Sequence, residues 1–270
     1  MLNRIRQLFR TAPDCAQPDI GPGERVYAIG DIHGRLDLFE ALVAAIEADD
    51  AARGAADTTI ILLGDLVDRG PASAGVIAAA RALQARRKVR ILAGNHEEMF
   101  LGSLDKLETL RAFLRHGGRE TVLSYPVDPD HYLELTLEEA QALLRQVVPA
   151  EDIAFLRSFE DYISIGDYLF VHAGIMPEVP LEAQKTESMR WIREPFLSFK
   201  GDFGQVVVHG HTIIDEAEVL PNRIGIDTGA FASGRLTALG LEGTSRWLIE
   251  TGTDTNGTGK NGISLGQRAV

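Results

Sequence analysis

The sequence predicts a layered α/β domain, and three observations carry that prediction. Short apolar runs of strand character alternate with longer segments of helical period between residues 26 and 242. Several of the runs are almost continuously apolar, so the strands they form are covered on both faces. Five of them end in tight glycine-containing turns dense in Asp, Asn and His. The carboxyl ends of strands are where an open α/β sheet gathers its chemistry.

Taken in order, residues 1–24 are expected to be a flexible lead-in. "MLNRIRQLFR" offers only a short basic amphipathic turn (Leu2, Ile5, Leu8, Phe9), and "TAPDCAQPDIGPGE" is rich in Pro, Gly and Asp without apolar periodicity. The folded body is placed at 25–250. Its strands are "VYAIG" (26–30), "TTIILLG" (58–64), "KVRILAG" (88–94), "YLFVHAG" (168–174), "QVVVHG" (205–210), "RIGID" (223–227) and "RLTALGLE" (235–242). Helical stripes at three-and-four spacing run through Leu36, Phe39, Leu42, Val43 and Ile46, then Val76, Ile77, Ala80 and Leu83, then Met99, Phe100, Leu107, Leu110 and Leu114. Residues 116–165 break this rhythm and read as a small helical insertion or lid. Within it Thr136 and Glu139 form a capping box ahead of Ala140, Leu143, Leu144 and Val147. The polar, glycine-rich stretch 251–270 is expected to be a disordered tail, since it has little apolar side chain to offset the entropy of ordering it.

Composition narrows the function. A chain of 270 residues, 45% hydrophobic and 24% charged, suits a single large core. The formal charge of -12 repels a phosphate backbone and excludes a general nucleic-acid binder. Cys15 is alone and cannot form an internal disulfide; with no apolar signal region and no run near the ~18 residues of a membrane helix, the expectation is a cytoplasmic protein without a transmembrane segment.

The strand ends read "GDIHG" (30–34), "GDLVDRG" (64–70), "GNHEE" (94–98), "VHAG" (171–174) and "VHGHT" (208–212). Of the seven histidines, His33, His96, His172, His209 and His211 fall in these turns, while His116 and His131 fall in the insertion. In any one turn an Asp or Asn is an ordinary turn residue and a lone His an ordinary structural group. Together they supply oxygen and imidazole donors without a thiolate, a set suited to Mn, Fe, Zn or a related divalent ion.

In this order the motifs "GDIHG", "GDLVDRG", "GNHE", "HAG" and "GHT" resemble those of the calcineurin-like metallophosphoesterase superfamily. Within it they resemble the bacterial serine/threonine protein phosphatases akin to the bacteriophage lambda enzyme, over roughly residues 25–245. The resemblance implies a two-sheet β-sandwich flanked by helices, with two divalent metal ions, Mn2+ first and Fe, Zn, Ni or Co as alternatives. It assigns Asp31 and His33 to the first metal, Asp65 to both, and Asn95, His172 and His211 to the second. A shared carboxylate also makes chemical sense, because two cations about 3.5–4 Å apart need an anionic link. The resemblance further implies that water activated by the bound ions would attack phosphorus directly, without a covalent enzyme intermediate.

By the same resemblance Asp68 pairs with His96 so that the imidazolium protonates the leaving group. Arg69, Arg193 and Asn95 bind the phosphoryl oxygens, with Arg190 close enough in sequence to substitute for Arg193. His209, two residues before His211 on one strand, is expected on the same side as a wall behind the ligands. Ile213 stands where many members of the superfamily carry a further histidine, which resembles the protein-phosphatase branch. The implied activity is a phosphomonoesterase acting on a phosphorylated protein or peptide. The alternative is a symmetrical dinucleoside tetraphosphatase, which uses the same site on a dinucleoside polyphosphate.

Overall fold

The computed structural model describes residues 17–253 and 263–270. It begins with a βαβαβ unit: β1 (Glu24–Ile29), α1 (Leu36–Arg53), β2 (Asp57–Leu62), α2 (Ser73–Gln84) and β3 (Val89–Ile91). The three strands are parallel, as two crossover helices require. The continuous apolar runs are explained by burial on both faces. Val26, Ala28 and Ile61 enter a core shared with the second sheet, while Tyr27, Ile29 and Ile60 pack against the helices.

A helical stretch follows, with α3 (Asn95–Ser103), α4 (Leu107–Phe113), α5 (Arg119–Ser124), α6 (Pro129–Glu134), α7 (Leu137–Val147) and α8 (Ala150–Arg157). The capping box at α7 forms as the sequence predicts. The Glu139 amide donates to Thr136 Oγ1 (3.3 Å) and the Thr136 amide to Glu139 Oε2 (2.8 Å). The second sheet comprises β4 (Tyr162–Ile165), β5 (Tyr168–Val171), β6 (Val206–His209), β7 (Glu218–Val219) and β8 (Arg223–Gly225), with α9 (Thr186–Trp191) between β5 and β6. The chain then returns through α10 (Ala230–Ser233) to β9 (Thr237–Glu242), β10 (Ser245–Thr253) and β11 (Ile263–Ala269) in the first sheet. The strand orders are β11-β10-β9-β1-β2-β3 and β4-β5-β6-β8-β7. Tyr168, Phe170, Val206, Val208, Ile224 and Leu239 fill the space between the sheets. The expected two-sheet sandwich with outer helices is what the chain forms.

Three expectations need correction. β4 lies at the end of the region expected as an insertion, yet it pairs antiparallel with β5 as part of the second sheet. β10 was hidden because its apolar core, Trp247–Ile249, is only three residues long. The tail expected to be disordered contains β11, which pairs antiparallel with β10 from Trp247↔Ala269 to Thr253↔Ile263. Main-chain hydrogen bonds hold that pairing, so it does not require the apolar side chains whose scarcity suggested disorder. Residues 1–16 of the lead-in and 254–262 of the tail lie outside the described residues. Among the described residues no helix is long and apolar enough to cross a membrane.

Candidate metal centre

Six parallel strands from the two sheets direct their carboxyl ends to one place. β1 leads to Asp31 and His33, β2 to Asp65, Asp68 and Arg69, and β3 to Asn95 and His96; β5 leads to His172, β6 to His211 and β8 to Asp227. Most of these side chains are fully buried, with Asp31, His33, Asp65, Asp68 and His172 all at 2% exposure or less. The backbone is strained here. Of the six described non-glycine residues with positive φ, five are His33, Asp65, Asp68, Arg69 and His211, at φ 45°, 50°, 73°, 67° and 62°. Each such residue costs about 1–3 kcal/mol, and such strain concentrates where side chains must be aimed at a functional point.

Other contacts lock the turns together. Glu97 accepts from the amides of Asp65 (2.9 Å), Leu66 (2.7 Å) and Gly94 (2.9 Å), so it ties the turn after β2 to the one after β3. Gly94 must be glycine, since a Cβ there would stand 2.1 Å from Asp65 Oδ1. Burial, then the nearby Asp65 charge, pushes the Glu97 carboxyl up to about 7.

The donor set fits two cations. His33 Nδ1 donates to the Val67 carbonyl (2.8 Å) and His172 Nδ1 to the Leu63 carbonyl (2.8 Å), so in the neutral ring each Nε2 presents a lone pair. His33 Nε2 is buried without a hydrogen-bond partner and lies 3.6 Å from Asp65 Oδ2. His172 Nε2 lies 3.4 Å from Asp65 Oδ2 and 3.0 Å from Asn95 Oδ1, and His211 Nδ1 is 2.9 Å from that same Asn95 oxygen. The Nε2 atoms of His33 and His172 thus face acceptor oxygens in a buried space, which calls for positive charge between them. The ionisation equilibria register the same demand. Burial alone would lower His172, yet the Asp65 and Asp31 carboxylates raise it to about 10. Burial holds His33 and His211 down to about 3, so both keep their lone pairs. Two groups of potential ligand atoms, each within 4.8 Å, are His33, Asp65, His96 and Asp65, His172, His211. Asp65 belongs to both groups, the position a bridging carboxylate takes. Asp31 accepts from the His211 amide (3.1 Å) at the edge of this cluster.

His96 belongs to one group by distance, but its nitrogens are engaged elsewhere. Nδ1 is 2.6 Å from Asp68 Oδ2, and Nε2 is 3.0 Å from Arg69 Nη2 against 3.9 Å from Asp65 Oδ2. A guanidinium only donates, so Nε2 accepts and the ring proton sits on Nδ1, facing Asp68. Thr121 completes the unit from α5. Its hydroxyl donates to Asp68 Oδ1 (2.6 Å) and accepts from the Asp68 amide (2.8 Å). The Arg69 amide donates to the Gly117 carbonyl (3.0 Å), and its guanidinium lies 4.8 Å over the Phe231 ring. The segment "HGGRET" (116–121) thus clamps the "VDRG" turn rather than standing apart as a lid.

Arg190 and Arg193 are distinguished clearly. Arg190 is paired with Asp161 (2.7 Å) and Glu98 (3.1 Å), whereas Arg193 is exposed and its charge helps depress His211. His209 differs from expectation. β6 ends at His209 and the positive φ of His211 turns the chain, so strand alternation does not extend across the pair. His209 instead faces Arg223 (3.4 Å) and the edge of Phe196, where burial pushes it down to about 4. Sequence reasoning missed Asp227, a buried carboxylate whose Oδ2 has no partner and whose charge, after burial, most raises Asp31. Its signal was present: "RIGID" is a sixth strand run ending in an acid.

The chain belongs to the calcineurin-like phosphoesterase family, whose model matches residues 24–229. Among curated relatives, the symmetrical bis(5'-nucleosyl)-tetraphosphatase of Acidovorax ebreus is 30% identical over 182 residues, covering 67% of this chain and 51% of that protein. The asymmetrical bis(5'-nucleosyl)-tetraphosphatase PrpE of Anoxybacillus flavithermus is 28% identical over 235 residues, covering 78% of this chain and 88% of that one. The chain therefore spans about half the length of the Acidovorax relative. Among solved structures, one provisionally named a diadenosine tetraphosphatase is similar at TM-score 0.58 and 21% identity, covering 94% of this chain and 95% of that chain. The cold-active protein-tyrosine phosphatase of a psychrophile Shewanella sp. is similar at TM-score 0.54 and 21% identity, covering 86% and 80%. These two likenesses establish the fold.

Proposed function

We propose that the chain is a two-metal hydrolase that cleaves a phosphoanhydride bond of a dinucleoside polyphosphate, symmetrically in the first instance. The observation that supports the chemistry is the placement of buried Asp65 in both ligand groups, beside the unit of Asp68, His96 and Arg69. The substrate is inferred from relatives, two of which carry tetraphosphatase names. The expectation of a serine/threonine protein phosphatase therefore gives way to the alternative drawn from the same motifs.

In this reading Asp31, His33 and Asp65 would hold one divalent ion, and Asp65, Asn95, His172 and His211 would hold the other. When bound, the ions supply a water of lowered pKa and neutralise phosphoryl charge. Arg69 and Arg193 grip phosphoryl oxygens, with a planar fork matched to that geometry. As Arg69 moves to the substrate it releases His96 Nε2. Burial works against a proton there, but the Asp65 and Asp68 carboxylates outweigh it and raise the imidazole above its ordinary value. His96 then protonates the departing oxygen, while Asp68, held by Thr121, keeps the ring oriented.

The direct test is to incubate the metal-loaded protein with diadenosine tetraphosphate and separate the nucleotides. ADP as the sole product supports the symmetrical reading. AMP with ATP would replace it by asymmetric cleavage, and an intact dinucleotide would overturn the substrate assignment.

A further inference from the structure

A cleft of about 510 Å³ opens between helix α9 and the loop that follows β5, within the about 300–1,000 Å³ range of small-ligand sites. Its lining is mainly apolar, with Met176, Val179, Trp191 and Ile192 on the walls and Lys185 among the polar lining residues. Trp191 belongs to this cleft and to the metal centre at once, since its ring centroid is 6.5 Å from that of His211 with the planes at 75°. The indole is anchored from behind, its N–H directed to Glu98 Oε1 (3.4 Å), one helical turn from the centre's Asn95. The opposite wall is preformed. Gln184 accepts from the Met176 amide (2.8 Å) and donates to the carbonyls of Met176 (2.8 Å) and Val179 (2.9 Å), so its amide is fully engaged within the loop.

A wall whose polar groups are already satisfied has little to offer the main chain of a peptide. An indole among apolar neighbours suits a heteroaromatic ring, and stacking on an aromatic side chain tolerates any base because every base presents a π-face. The aromatic on the other flank, Phe231, lies under the Arg69 guanidinium. We infer that this cleft is a nucleoside subsite, taking the base and ribose at one end of the polyphosphate with the base stacked on Trp191 beside the second metal position. The inference deepens the proposed function and rests on that reading for its substrate.

Binding of ADP and of inorganic pyrophosphate to the manganese-loaded protein, measured by calorimetry, tests the subsite without requiring turnover. The wild-type protein is expected to bind ADP more tightly than pyrophosphate. In Trp191→Leu the ratio of the two affinities falls about 5- to 150-fold, the value of one base stack. Val179→Asp, which places a charge in the cleft and leaves the indole intact, lowers the same ratio and covers the case in which the first variant fails to fold. No preference for ADP in the wild type, or a ratio unchanged in a folded variant, overturns the inference. So does a Trp191→Leu protein that loses affinity for a phosphoserine peptide and keeps its preference for ADP. If diadenosine tetraphosphate proves not to be cleaved, the substrate reading fails separately, and the ADP ratio still decides the cleft.

Discussion

His96 stands between two roles, with Nε2 3.0 Å from Arg69 and 3.9 Å from Asp65. The roles separate experimentally. Replacement by Asn is expected to leave metal content, measured by atomic absorption, unchanged, and to lower kcat about 10²–10⁴-fold on an alkyl phosphate. The loss should be far smaller on a dinucleoside polyphosphate, whose nucleotide leaving group needs less help from a proton. A variant missing one metal equivalent would make His96 a ligand. Residues of this kind were legible because metal and phosphate chemistry restricts residue type within short turns, as in "GDLVDRG" and "GNHEE". Thr121 was not legible, because its bond to Asp68 spans 53 positions and a threonine in an irregular segment carries no local signal. Asp227 was overlooked because no histidine marked its strand end, and His209 was misplaced because the end of β6 could not be fixed to the residue from an apolar run.

At the scale of elements, β10 shows why a missed strand matters. Trp247 is 3% exposed, packs edge-on against Tyr27 with ring centroids 5.7 Å apart, and lies under the Arg53 guanidinium at 3.5 Å. Its cross-strand partner is Gly240, where a Cβ would come within 2.1 Å of the indole, so the strand pair is built around that ring. Trp247→Ala should cost about 3–5 kcal/mol, read as a lowered denaturant midpoint. Asp49 joins α1 to this edge, accepting from Tyr27 (2.6 Å), Arg53 (2.8 Å), Trp247 (3.0 Å) and, on β11, Gln267 (2.9 Å). Burial raises its carboxyl, but hydrogen bonds from Tyr27, Arg53 and Gln267 outweigh burial and hold it below the ordinary 3.8. A depressed carboxyl stabilises fully above its unfolded value and loses that contribution as pH falls through the folded one. The Tm difference between wild type and Asp49→Asn should therefore be largest near neutrality and shrink as pH falls through and below the ordinary carboxylate value. A difference independent of pH would remove the ionic part of the argument.

For the whole molecule, the sandwich was legible in the alternation of buried runs and helical stripes, and the order of motifs pointed to its two sheets. The membership of β4, β10 and β11 was not, since short or polar strands are specified by main-chain pairing with distant partners. The consequence of the architecture is that candidate ligand side chains from both sheets meet at Asp65. Bound ions should therefore tie the sheets together, and saturation at 100 times Kd should stabilise the fold by about 2.7 kcal/mol. Thermal melts before and after chelation measure this, and an unchanged Tm would place the ions outside the structural centre. The most direct test of the account is hydrolysis of diadenosine tetraphosphate and of a phosphoserine/phosphothreonine peptide in parallel, after chelation and again after re-addition of manganese. Dinucleotide cleavage is expected to be lost with the metal and restored by it, with the peptide a poor substrate. Cleavage that survives chelation, or phosphate release from the peptide with the dinucleotide untouched, would contradict it.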